Sequence, residues 1–88
     1  MTFRVLVTRT ASRQLAEALP EAAVAACVRF IFGSLAENPF RVGSPLRKPF
    51  RGQRRVRRGE YRVRYRIEET TRIVYVLDVG HRRDRYRS

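Results

Sequence analysis

Apolar and charged positions alternate strictly along residues 61–67. Tyr61, Val63, Tyr65 and Ile67 fall on one parity, and Arg62, Arg64 and Arg66 on the other. Successive side chains of a strand point to opposite faces, so this pattern predicts a strand with one apolar face and one arginine face. Arg58-Gly59-Glu60 reads as a tight turn in front of it, with Gly59 free to take a positive φ. Upstream of the turn, Gln53–Arg57 carries an alternating Val56 and reads as a partner strand. Downstream, residues 71–79 contain Ile73-Val74-Tyr75-Val76-Leu77, apolar on both parities. That run predicts an interior strand covered on one side by helices, which Gly80 is expected to break.

The first half of the chain has a different period. Residues 2–7 form a short β-type run, and Thr8 and Thr10 are both possible N-caps for a first helix. Ala11, Leu15, Ala18 and Leu19 share one helical stripe. Pro20 suits a first helical position, with Glu21 in the favourable first turn, so a second helix is expected over about 20–36. Its predicted buried stripe is Val24, Val28, Ile31 and Leu35, with Cys27 beside it as a small core residue. Asn38-Pro39 ends this helix, and residues 38–52 form a turn-rich connector that Leu46 and Phe50 anchor to the core. The predicted fold is a two-layer α+β sandwich. It has an N-terminal strand, a helical hairpin and a three-stranded antiparallel meander, in the order β-α-α-β-β-β.

Length and charge narrow the reading. Eighty-eight residues (1–88) form one domain with a thin core, burying about 60–65 % of the unfolded surface. No apolar run reaches the ~20 residues of a membrane span, no secretory signal opens the chain, and a cytoplasmic location without membrane partners is expected. A single cysteine permits no internal disulfide and no thiolate metal cluster. The net charge is +12, and it is unevenly placed. Residues 1–44 carry five basic and three acidic side chains, whereas residues 45–88 carry fifteen and five. All the basic residues except Lys48 are arginine, whose planar fork suits phosphate and stacks on bases. A polyanionic partner is the natural inference, since a generalised solubility charge would not leave the first half nearly neutral.

Several segments together carry a resemblance. They are Pro45-Leu46, Arg55-Val56-Arg57, Gly59-Glu60-Tyr61-Arg62-Val63, Tyr65-Arg66-Ile67, and Val79-Gly80-His81-Arg82-Arg83-Asp84-Arg85-Tyr86. In this order and at this length the chain resembles the RelE/ParE toxin superfamily of toxin–antitoxin systems. For RelE-type members the resemblance implies an endoribonuclease that enters the ribosomal A site and cuts messenger RNA there, inhibiting translation. It also implies a RelB-like antitoxin as partner. Arg55 and Arg57 match the family's basic pair, Arg62 the arginine after the turn tyrosine, Arg82 the arginine near the last strand and Tyr86 the terminal tyrosine. One member of the basic set falls near Gln53, which carries no charge, and Arg54 or Arg51 would stand in for it.

Such a reaction needs no metal and no other cofactor. A ribose 2′-hydroxyl attacks the adjacent phosphate while arginines neutralise the growing charge. Arginine stays protonated, so a different group must move the proton. His81 is the candidate general base, and Tyr86 stacks on a base or orients the hydroxyl. The catalytic set is thus Arg55, Arg57, Arg62, His81, Arg82 and Tyr86. Lys48, Arg51, Arg54, Arg64, Arg83 and Arg85 are assigned to RNA binding. Two other readings compete: a ParE-type inhibitor of DNA gyrase that cuts no RNA, and an arginine-rich RNA-binding module without catalysis.

Overall fold

The computed structural model describes residues 2–81. Its elements are β1 (Arg4–Val7), α1 (Arg9–Glu17), α2 (Glu21–Phe30), a π-helical turn (Ile31–Leu35), α3 (Pro39–Val42), β2 (Ser44–Pro45), β3 (Gln53–Arg58), β4 (Tyr61–Glu68) and β5 (Ile73–His81). The expected α+β sandwich is present. Its sheet has five strands in the order β1-β5-β4-β3-β2, because the connector contributes α3 and the short strand β2. The meander β3-β4-β5 is antiparallel, and β1 pairs with β5 in parallel. No helix among the described residues is long and apolar enough to cross a membrane.

One face of the sheet carries Val56, Tyr61, Val63, Tyr65, Val74, Val76 and Val79 against Ala11, Cys27, Phe30, Ile31 and Leu35 of the helical layer. Val76 and Val79 both face this core although strict alternation would separate them. The register explains it: Arg64 pairs with Asp78 and Tyr65 with Val76, so Leu77 is the extra residue of a β-bulge. The bulge shifts the parity of β5 by one and sets Asp78 opposite Arg64 on the other face.

Several local expectations are corrected. Thr8, not Thr10, caps α1: its side chain accepts from the Ala11 N–H at 3.2 Å. Its hydroxyl also donates to the Leu77 carbonyl at 3.3 Å, tying the helix start to β5. Pro20 is the N-cap of α2 rather than its first residue. The buried side of α2 is Ala23, Cys27 and Phe30, one position away from the predicted stripe, and Val28 is exposed. Two small residues, Ala23 and Cys27, let the helix sit close to the sheet, and the π-helical turn then brings Ile31 and Leu35 back to the core. Burial pushes the Cys27 thiol up to about 11, so it is a core residue and an inert one. Gly80 does not break β5 but lies within it opposite Arg62. Phe50 does not join the core; it is 40 % exposed and lies under the guanidinium of Arg64 at 5.4 Å. In the first helical stripe, Ala18 is exposed and Leu15 and Leu19 are half-buried.

Candidate nucleic-acid interface

Register decides which arginines share a face. Arg57 pairs directly with Arg62, and Arg55 with Arg64, across β3 and β4. All four lie on the face opposite the helices, because their neighbours Val56, Tyr61, Val63 and Tyr65 occupy the core side. On β5 the same face carries Asp78 opposite Arg64 and Gly80 opposite Arg62. Directly opposed side chains in a sheet have Cβ atoms about 4.5–5.5 Å apart, and like charges there destabilise it. Two neighbouring Arg–Arg pairs therefore form a surface that the isolated chain holds at an energetic cost.

Arg62 is the deepest of the four, only 9 % exposed. It sits on β4 in the interior of the sheet, flanked by Arg57 on one side and Gly80 on the other. Arg64 is held from several directions. Its Nη1 donates to Gln53 Oε1 at 2.5 Å, its Nε lies 3.8 Å from Asp78 Oδ2, and its guanidinium lies over the Phe50 ring. Arg66 pairs with Glu68 at 3.2 Å and stacks on Tyr75 at 4.5 Å, continuing the row toward the far hairpin.

Not every predicted site residue reaches this face. Arg54 pairs with Tyr65 on the helix side, where its Nη2 donates to the carbonyls of Phe40 (2.9 Å) and Gly43 (2.8 Å). It is a structural clamp on the α3–β2 corner, so it cannot stand in for Gln53. Burial pushes the neighbouring Tyr65 hydroxyl pKa up, against the opposing pull of Arg54, and that hydroxyl donates to the Pro39 carbonyl at 2.6 Å. His81 pairs with Tyr61 and thus lies at the sheet's end on the core side, with Nε2 3.4 Å from a Glu60 carboxylate oxygen. Lys48 and Arg51 lie exposed on the loop before β3. Arg82, Arg83, Arg85 and Tyr86 fall outside the described residues. Two contributors leave no signal in the sequence pattern. They are Asp78, placed by the bulge, and Gln14 of α1, whose Nε2 donates to Asp78 Oδ1 at 2.5 Å.

The opposed pairs make a direct prediction for the free chain. Screening should relieve the Arg57–Arg62 and Arg55–Arg64 repulsion, so raising salt from about 0.05 to 0.5 M should stabilise the fold by ~1 kcal/mol. Thermal unfolding should register this as a rise of about 4–8 °C. A flat or falling Tm would mean that the arginines are already neutralised within the chain.

An α+β sandwich with one sheet face given over to paired arginines fits a protein toxin of the type II toxin–antitoxin class. Residues 5–86 match the family described as ParE toxin of type II toxin-antitoxin system, parDE, and the chain belongs to that family, within the RelE/ParE superfamily. Among individual proteins it is similar to two toxins of Mycobacterium tuberculosis (strain ATCC 25618 / H37Rv). Toxin RelE is 44 % identical over 85 residues, covering 97 % of this chain and 87 % of the relative. Toxin RelG is 46 % identical over 87 residues, covering 99 % of each. The fold matches the RelBE2 toxin–antitoxin complex from M. tuberculosis with a TM-score of 0.89 at 44 % identity, over 93 % of this chain and 100 % of that one. It also matches the intact Escherichia coli RelBE complex with a TM-score of 0.75, over 97 % and 99 %; at 14 % identity that likeness bears on the fold alone.

Proposed function

We propose that this toxin is a ribosome-dependent endoribonuclease that cuts messenger RNA in the A site, restrained in the resting cell by a RelB-like antitoxin. The observation that carries the reading is the double Arg–Arg pairing on the outer sheet face. A surface with that much opposed charge is relieved by a chain of phosphates, and arginine forks grip equatorial phosphate oxygens bidentately. The antitoxin assignment draws on the 44 %-identical neighbour, which was solved as a toxin–antitoxin complex.

In the proposed reaction the 2′-oxygen forms a bond to phosphorus while the bond to the 5′-oxygen breaks, leaving a 2′,3′-cyclic phosphate and a 5′-hydroxyl. Arg57 and Arg62 hold the non-bridging oxygens as negative charge grows on them, and Arg55 and Arg64 hold the flanking backbone. His81 takes the 2′-hydroxyl proton and, as imidazolium, returns it to the departing 5′-oxygen, with Arg82 and Tyr86 completing the site. Because His81 lies at the end of β5 beside the Gly59–Glu60 turn, this role requires the message to pass around that end of the sheet. His81→Gln keeps the shape and removes the base. Cleavage should then fall by about 10²–10⁴-fold with RNA affinity unchanged, the range of a general base. Unchanged cleavage would remove His81 from the mechanism while leaving the arginine face in place.

The second reading, gyrase inhibition, has the ParE family match in its favour. Programmed ribosomes separate the two. A purified translation mixture stalled on a defined message should release a cut message when this chain is added. Intact message alongside inhibited supercoiling by gyrase would select the other reading.

A further inference from the structure

Arg64 is anchored more heavily than charge alone requires. Groups from separate parts of the chain converge on it. Gln53, at the start of β3, accepts from its Nη1 at 2.5 Å. Asp78, displaced onto this face by the β5 bulge, faces its Nε at 3.8 Å. Phe50, from the loop before β3, lies under its guanidinium at 5.4 Å. Behind them Gln14 spans the layers: its Nε2 donates to Asp78 Oδ1 at 2.5 Å and its Oε1 accepts from the Val79 N–H at 2.7 Å. Gln14 therefore fills the edge of β5 beyond the end of β1 and fixes the carboxylate that fixes Arg64.

An arginine so placed has a single orientation, and its side-chain entropy is lost in folding rather than on binding. The charge balance also argues against simple attraction of a polyanion, since Asp78 subtracts a positive charge from the face and Gln53 adds none. Gln53 spends an acceptor on the guanidinium, and Asp78 sets a carboxylate oxygen 3.8 Å from it.

The geometry points to Arg64 as a pre-oriented phosphate contact, with Gln53, Asp78 and Gln14 as its positioning residues. This inference rests on the endoribonuclease reading for its cleavage arm only. Two variants separate positioning from net charge, because each makes the face more positive. Asp78→Asn removes a negative charge but keeps the size and an acceptor for Gln14. Gln53→Lys adds a positive charge and removes the acceptor that holds Arg64.

The experiment measures binding of a fluorescent single-stranded RNA to the purified chain across a salt series, and message cleavage on induction in cells. Arg64→Ala should lower the slope of log affinity against log salt by about 0.7, one phosphate contact on a single strand. Asp78→Asn and Gln53→Lys should bind RNA no tighter than the unaltered chain and cut it roughly 10-fold less. In the Gln53→Lys variant the new ammonium stem would occupy the place of the Arg64 fork, so one phosphate contact takes the place of another. Unchanged thermal unfolding and antitoxin binding would exclude misfolding. Tighter binding with equal or faster cleavage in both variants would overturn the inference, because charge alone predicts that result. If the unaltered chain cuts no message, the endoribonuclease reading fails by itself, and the binding arm decides the positioning inference.

Discussion

Arg62→Ala is expected to abolish growth arrest by this toxin, lowering message cleavage by at least about 10²-fold, while the protein still folds and still binds its antitoxin. On the proposed mechanism the size is that of removing a pre-organised donor aimed at charge that develops in the transition state, typically a loss of ~10²–10³. Arg62 is the member of the quartet for which this should hold most strongly. It is 9 % exposed, so water cannot replace it well, and it sits on an interior strand with Arg57 and Gly80 as its cross-strand neighbours. The stability change should be small, under about 1 kcal/mol. Truncation loses packing of the aliphatic stem but removes a directly opposed like charge at Arg57, and the two effects have opposite signs. Plating after induction, together with thermal unfolding of the purified variant, reads both quantities. A variant that stays toxic would dissociate the arginine face from the activity. A variant that fails to fold would make Arg62 a structural residue first.

Gly43→Ala is expected to be strongly destabilising although it adds a single methyl group. The Gly43 backbone is extended, at φ −132° and ψ 179°, a conformation any residue adopts. On backbone grounds alone the change should therefore stabilise by ~0.4–1 kcal/mol through the unfolded state. Space reverses the sign. A Cβ at Gly43 would lie 2.8 Å from the Arg55 carbonyl and against the Tyr65 hydroxyl. Neither neighbour can yield cheaply. The Arg55 carbonyl belongs to backbone paired with Ser44, and the Tyr65 hydroxyl is committed to the Pro39 carbonyl on a fully buried ring. Overpacking of this kind costs about 1–3 kcal/mol, and leaving the Pro39 carbonyl without its donor adds a further ~1–3. The net loss of ~2–4 kcal/mol should lower Tm by roughly 10 °C or more in a chain this short. Tyr65→Phe removes only the hydroxyl, so the pair should be non-additive: in the Phe background Gly43→Ala should cost less. Full additivity would place the strain at Arg55 rather than at Tyr65.

The hydrophobic pattern carries the sheet well, because Tyr61–Ile67 alternates without exception and alternation has one structural meaning. It carries the arginine face for the same reason, since Arg55 and Arg57 share one parity on β3, Arg62 and Arg64 share one on β4, and the two-residue turn at Gly59-Glu60 puts both sets on one face. Other features depend on tertiary pairing. The bulge at Leu77 is set by pairing with β4, and without it Asp78 and Val79 are assigned to the wrong faces. Arg54 has the same chemistry as its basic neighbours, yet its parity sends it to the core side beside Tyr65, where the carbonyls of Phe40 and Gly43 accept from it. The phase of α2 runs against residue size. Val24 and Val28 are the more hydrophobic candidates for burial, but close helix–sheet approach favours the smaller Ala23 and Cys27. Gln53 is the converse case. In sequence it is a charge missing from the basic set, and in the fold it is an acceptor that holds Arg64 in place.

Mapping of messenger 5′ ends in a bacterium after induction of this chain alone, with and without a block on translation, bears most directly on the endoribonuclease reading. New 5′ ends are expected inside translated frames, absent when translation is blocked and absent for Arg62→Ala. Intact messages accompanied by growth arrest and DNA damage would contradict that reading and assign the toxin to gyrase.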